Sequence, residues 1–246
     1  MVHNSRNGIE LFLSCVSQIR YNLSMNKVHL SIGANPLFYS YLERLGYQIV
    51  TVLESPYLNS GIASHPDLFM CKMGSHPKSS IFFGNPKKPK DPYPKDILYN
   101  AACTGKYFIH NLSASDKTLL LRAKEMGMIL IDVRQGYTKC NTVVVDENSL
   151  ITSDEGIFNT LVRYSDIDCL LVQPGYVDLP SYSTGFIGGA TGRVGDRILF
   201  HGNLKCHPDY YQIKQFIEAR GLETVSFDEF PLTDIGSIIE TSGWSE

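Results

Sequence analysis

The chain has 246 residues, of which 43% are hydrophobic and 19% charged, with a net charge of -3. That is enough apolar material for a proper core, and the faintly acidic balance excludes a general attraction to nucleic acid or anionic membranes. Six cysteines, at 15, 71, 103, 140, 169 and 206, form no C-x-x-C pair, so free thiols in a reducing cytoplasm are expected rather than a disulfide framework.

No apolar run approaches the length of a membrane span, and the segment 8–16, interrupted by Glu10, is too short for a signal peptide. Ile9, Leu11, Phe12, Val16 and Ile19 predict an amphipathic helix over 9–21, within an N-terminal extension covering 1–27. A strand follows at 28–32. Asn35 and Pro36 then supply an N-cap and first-turn pair for a helix carrying Leu37, Phe38, Tyr41, Leu42 and Leu45; Gly46 ends it before a strand at 48–53.

Strands are predicted at 67–73 and 79–83, but the helix that should come next is replaced by a proline- and lysine-rich loop over 85–96. Five prolines from Pro77 to Pro94 exclude a regular helix there. Lys87, Lys88, Lys90 and Lys95 make this loop either a solvated connector or a contact surface.

Asn100 opens a strand, Thr104-Gly105-Lys106 turns, a strand returns at 107–111, a helix follows Ser113 or Ser115, and 128–133 is a third strand. The same order begins again about 41 residues later at Asn141. There a strand at 141–145 turns at Asp146-Glu147-Asn148 into 149–152, Ser153 caps a helix bearing Ile157, Leu161 and Val162, and 169–172 returns. A third copy starts at Thr184 and Gly185, continues through Gly188 and Gly189, turns over 192–195, begins its helix at Pro208 and ends it at Gly221.

Residues 235–240 form a lone strand, and the segment at 28–53 lacks its first strand. Pairing the two would complete a split unit from the chain's two ends and remove exposed sheet edges. The total is five ββαβ units in one α/β domain spanning 1–246: one split, one degraded and three full. A repeat of roughly 40 to 50 residues signals a radial or stacked array.

Five ββαβ units closed by the termini resemble the pentein superfamily, the α/β propeller of pseudo-fivefold symmetry shared by guanidino-group-modifying enzymes and a ribosome anti-association factor. The resemblance covers nearly the whole chain after residue 27 and rests on repeat order and length. It implies that the first strand of each unit lines a central channel, where Asp67, Asn100, Asn141, Gly185 beside Thr184, and Asp234 would converge. Asp and Asn are poor strand formers. Either they satisfy turn backbone at each strand start, or they make a polar channel in which Asp67 and Asp234 grip a cation such as a guanidinium.

His65-Pro66-Asp67 is similar to the H-x-D of arginine deiminase and its relatives, which implies His65 as general acid/base and Asp67 as substrate anchor. Gly188 and Gly189 match the paired glycines of the family's substrate strand, although no acid precedes them and Thr184 or Tyr182 would have to serve. The family's nucleophile is a cysteine near the C-terminus; here Leu232-Thr233-Asp234-Ile235-Gly236-Ser237 stands in its place. Cys140, beside Lys139, is the substitute nucleophile, with a structural thiol as the alternative. Cys71 and Cys103 are expected to pack in the body.

His65, Asp67, Cys71, His76 and His110 fit no zinc-ligand spacing, and neither a metal nor a cofactor is expected. Nucleic acid is not expected as a partner either, because the only basic cluster lacks an aromatic platform. Two functions follow. One is a small-molecule enzyme or binder of the amidinotransferase or guanidino-hydrolase type, acting on a C–N bond of a cationic ligand. The other is a non-catalytic interaction module, like the ribosome factor, working through an outer face. The oligomeric state is left open.

Overall fold

The computed structural model describes residues 26–242. The helix predicted over 9–21, Cys15 and the single tryptophan, Trp244, lie outside the described residues.

Strand β1 (Lys27–Ser31) leads into helix α1 (Pro36–Arg44) and strand β2 (Gln48–Val52). Asn35 accepts the Leu37 amide at 2.9 Å, satisfying one donor of the first turn, and Phe38 and Leu42 form the buried stripe. The helix ends where Gly46 adopts φ 83°, a left-handed conformation that favours glycine.

A second unit holds β3 (Met70–Lys72) and β4 (Ile81–Phe83), paired antiparallel, with no helix and no third strand. The third contains β5 (Ala102–Cys103), β6 (Tyr107–His110), α2 (Lys117–Glu125) and β7 (Ile129–Asp132). The fourth contains a helical turn, α3 (Thr138–Asn141), then β8 (Thr142–Val144), β9 (Ser149–Thr152), α4 (Glu155–Leu161) and β10 (Asp168–Leu171). The fifth contains β11 (Thr191–Val194), β12 (Arg197–Phe200), α5 (Tyr210–Glu218) and β13 (Glu223–Val225), and the chain returns as β14 (Ile239–Thr241).

The result is a mixed α/β architecture of five small sheets. In each three-stranded sheet the central strand pairs antiparallel with the first strand and, across the helical crossover, parallel with the third. The split unit obeys the same rule: β14 pairs antiparallel with β1, which pairs parallel with β2. Apolar side chains fill the space between sheets and helices. One cluster joins Val28, Leu30, Phe38 and Leu42 from one end of the chain to Leu199, Ile235 and Ile238 from the other.

The first strands are neighbours in sequence: β3 touches β5, β5 touches β8, β8 touches β11 and β11 touches β14. Together they line one narrow cavity of about 40 Å³.

Several boundaries correct the sequence reading. Asp67 does not open a strand; it lies on a 3-10 turn at Pro66–Leu68. Asn100 precedes β5 and Asn141 ends α3, so neither is a strand residue. Residues 184–190 are loop and turn, not the start of a strand, and Gly192 lies within β11 while the hairpin turns at Gly195, φ 62°. The helix caps are Asp116 and Asp154, not Ser113, Ser115 or Ser153, and α5 starts after Asp209 instead of at Pro208. The physical reason is common to the first two caps: a carboxylate complements the positive helix N-terminus better than a hydroxyl, and Ser115 instead donates to the Asn111 carbonyl.

Candidate functional site

The segments immediately before the five first strands carry the polar residues of the site. Each departs from extended backbone there, which turns side chains inward that a regular strand would send to alternate faces. His65 and Asp67 flank the start of the 3-10 turn, Lys139 and Cys140 share the helical turn α3, and Asp234 to Ser237 form a tight bend before β14.

Asp67 is 1% exposed, and its amide donates to the Gly236 carbonyl at 3.1 Å. Its Oδ2 accepts from Ser237 Oγ at 2.5 Å and from Cys140 Sγ at 3.1 Å. The other oxygen, Oδ1, is buried without any hydrogen-bond partner among the described residues. Asn100 holds the α3 turn from below: its Oδ1 accepts the Lys139 and Cys140 amides at 2.8 and 3.2 Å, and its Nδ2 donates to Cys140 Sγ at 3.2 Å. Lys139 Nζ donates to the Gly188 carbonyl and to Ser237 Oγ, both at 3.0 Å.

The second carboxylate, Asp234, is 2% exposed and accepts the Phe186 amide at Oδ2 (3.0 Å) and the Gly236 amide at Oδ1 (2.9 Å). His65 Nδ1 lies 3.8 Å from Asp234 Oδ1. The paired glycines matter for space. A Cβ on Gly189 would stand 2.0 Å from Asp234 Oδ1, and one on Gly188 2.4 Å from the Lys139 carbonyl oxygen. Gly236, at φ 70°, leaves no more room, since a Cβ would meet His65 Cβ at 2.1 Å.

Burial sets the electrostatics. It raises Asp67 against the opposing pull of His65 and Lys139, and raises Asp234 to about 6. It pushes the Cys140 thiol well above its ordinary value, with the charges of Asp67 and Asp234 adding to the effect. Lys139 is pulled down by burial against the attraction of the two carboxylates, and His65 falls to about 4. Two carboxylates therefore face one lysine, with a neutral imidazole and a neutral thiol beside them.

His65, Asp67, Asn100, Cys140, Gly188, Gly189 and Asp234 thus come together. Asn141 and Thr184 do not. Asn141 Nδ2 donates to the Tyr137 carbonyl and stabilises its own helical turn, and Thr184 Oγ1 donates to the Val177 carbonyl. Tyr182 is 43% exposed. Sequence reasoning treats Lys139 only as a neighbour of Cys140, and Ser237 only as the position where a cysteine is missing. Ser237 has one distinguishing mark, φ 75°, one of two left-handed non-glycine residues among those described.

Aromatic rings pack beside the cluster. Tyr137 sits 5.9 Å from the Tyr93 ring and 6.1 Å from Phe186, and its hydroxyl donates to Asp96. Tyr93 belongs to the proline-rich loop, so this loop is anchored on the α3 side and is more than a solvated connector. Lys88 within it donates to Asp116 Oδ2 at 2.6 Å. Cys71 and Cys103 pack in the core as free thiols in contact, Sγ to Sγ 3.4 Å.

Ligand atoms of His65, Cys140 and Asp234 lie within 4.8 Å of one another, a spacing a metal ion could bridge. Such a dication would need the Cys140 thiolate, which the two neighbouring carboxylates oppose, and Lys139 already supplies positive charge. The set suits a monocation better.

Fold and site together define a mixed α/β protein with a buried acidic cluster at the starts of its first strands. Within that class, the chain belongs to the family described as "Family of unknown function (DUF6873)", whose model matches residues 31–239. No curated protein and no solved structure matches. No helix among the described residues is long and apolar enough to cross a membrane.

Proposed function

We propose that this protein is a pentein-type α/β propeller that binds a guanidine or amidine cation between Asp67 and Asp234 and hydrolyses one of its C–N bonds. The observation that carries the reading is Asp67 Oδ1, a buried carboxylate oxygen without a donor, beside a second buried carboxylate. A group of this kind is costly unless something donates to it, and a planar cation with several N–H groups is the matching ligand. The propeller reading is supported by the five sheets, the chain of contacts between first strands and the pairing of β14 with β1.

The ligand would also change the chemistry of Cys140. Its thiol is raised partly by Asp67 and Asp234, and a cation held by those carboxylates cancels that part of the shift. The sulfur then attacks the central carbon while His65, neutral near pH 7, takes the thiol proton and returns it to the departing nitrogen. The C–N bond breaks, an amine or ammonia leaves, and water hydrolyses the S–C bond to regenerate the thiol.

The test is a thermal-shift panel of arginine, agmatine, citrulline, methylated arginines, creatine and plain amino acids, run on wild type, Asp67→Asn and Cys140→Ala. One guanidino compound should raise the melting temperature of wild type and Cys140→Ala but not of Asp67→Asn, and only wild type should release ammonia or amine from it. A panel that leaves a well-folded wild type unmoved would sink the reading.

The burial of the cluster favours a second reading, a non-catalytic module acting through an outer face, since His65, Asp67, Cys140, Asp234 and Ser237 are all 4% exposed or less. A flat panel together with a protein partner lost on replacing Lys87 and Lys90 would support it.

A further inference from the structure

The cavity between the first strands borders the acidic cluster through Lys139, and its mostly apolar lining carries three cationic residues. Lys72, Lys139 and Arg193 border it, along with backbone and apolar side chains of β3, β5, β8, β11 and β14. Lys139 is committed to the acidic cluster through Ser237 and Gly188. The other two cations are not. Lys72 Nζ is buried without a hydrogen-bond partner among the described residues. Arg193 donates through Nη1 to the Val145 carbonyl at 3.0 Å and through Nε to the Gly195 carbonyl at 3.3 Å, which leaves Nη2 over.

One carboxylate is near both: Glu240, 1% exposed on β14, whose Oε2 accepts the Gly195 amide at 2.9 Å and whose charge reaches Lys72 and Arg193 alike. Asp146 and Asp196 add their charges at Arg193, but Lys72 has only the charge of Glu240 and no hydrogen bond to it among the described residues. Burial lowers the Lys72 amine to about 8, so it keeps its proton at neutral pH.

We propose that the cavity is a binding site for one small inorganic monoanion of halide size, held by Lys72 and Arg193. The volume decides the class of ligand. One ordered water needs roughly 10–15 Å³ of such space, so a cavity of about 40 Å³ has room for a halide. An anion there supplies the acceptor that Lys72 Nζ lacks, tying β3 to β11 across the cavity. The site stands whether or not the acidic cluster binds a guanidine.

The experiment compares wild type and Lys72→Met in chloride, bromide and gluconate at one ionic strength, gluconate being too large to enter. Wild type should melt at a higher temperature in either halide than in gluconate, with a shift that grows with halide concentration, and Lys72→Met should show no difference between salts. Crystals of wild type grown in bromide should give an anomalous peak within hydrogen-bonding reach of Lys72 Nζ, a measurement that decides the matter even if the variant does not fold. Equal melting in all three salts, with only a water beside Lys72 and no anomalous signal, would overturn the proposal.

Discussion

Ser237 holds a hydroxyl between a lysine and a carboxylate while its backbone sits at φ 75°, a conformation that costs a non-glycine residue on the order of 1 kcal/mol. The two effects can be separated. Ser237→Ala should destabilise by about 1–3 kcal/mol, because Asp67 Oδ2 and Lys139 Nζ each lose a buried partner. Ser237→Gly loses the same hydroxyl but relaxes the backbone, so it should be less destabilising than the alanine variant by about 0.5–1 kcal/mol in urea unfolding. At Gly189 there is no such relief: Gly189→Ala places a methyl 2.0 Å from Asp234 Oδ1 and should cost about 1–3 kcal/mol while displacing the second carboxylate. Its ligand response in the thermal-shift panel should fall with that of Asp67→Asn.

At the scale of elements, the caps give the sharpest contrast. Asp116 accepts the Thr118 and Leu119 amides, at 2.9 and 3.2 Å, and receives Lys88. Asp116→Ala should therefore cost about 1–2 kcal/mol, whereas Ser113→Ala, at a position that caps nothing, should stay within about 0.5 kcal/mol in equilibrium denaturation. The reversed ranking would mean that α2 begins earlier than Lys117. The degraded unit teaches something different. Without a helix and third strand, the outer edge of β4 has no strand beside it among the described residues, and the chain instead runs through the proline-rich loop to rest Tyr93 on Tyr137.

The whole molecule is joined by β14. Removing residues from Ile239 onward would leave β1 paired on one edge only, take one wall from the cavity and delete Glu240, so the truncated chain should fail to unfold cooperatively in a calorimeter. Stability should also depend on pH. Burial lowers His29, His65, His110 and His201 from 6.5 to about 4. Between pH 6.5 and 4 the unfolded chain binds protons that the folded state refuses. The histidine contribution is therefore complete above pH 6.5 and lost as pH falls toward 4. Asp234 acts with the opposite sign, since a carboxyl raised from 3.8 to about 6 is protonated first in the folded state and stabilises it as pH falls from 6 to 3.8; Asp67 and Asp96 are raised too. Four imidazoles lowered across the range outweigh them, and denaturant unfolding should show stability decreasing as pH drops from 6.5 to 4. A flat or rising profile would show the carboxylates dominating.

The periodic features were legible in the sequence. Units at about 41-residue spacing, the Asn35 cap, the glycine at 46 and the proline-broken unit follow from local propensity and hydrophobic pattern, which act within a few residues of chain, and the completion of the first sheet by the last strand follows from the repeat count, which leaves one unit short of its first strand. His65, Asp67, Asn100, Cys140 and Asp234 were legible as a set through their places in the repeat. Lys139, Ser237 and the Lys72–Arg193 pair were not. Their roles depend on contacts between residues far apart in the chain, such as Ser237 on Asp67, 170 positions away, and on burial that moves the charge state of each group. Side-chain identity along the chain specified which units form; only their packing around a common cavity decided which of their polar groups meet, and which are left without a partner.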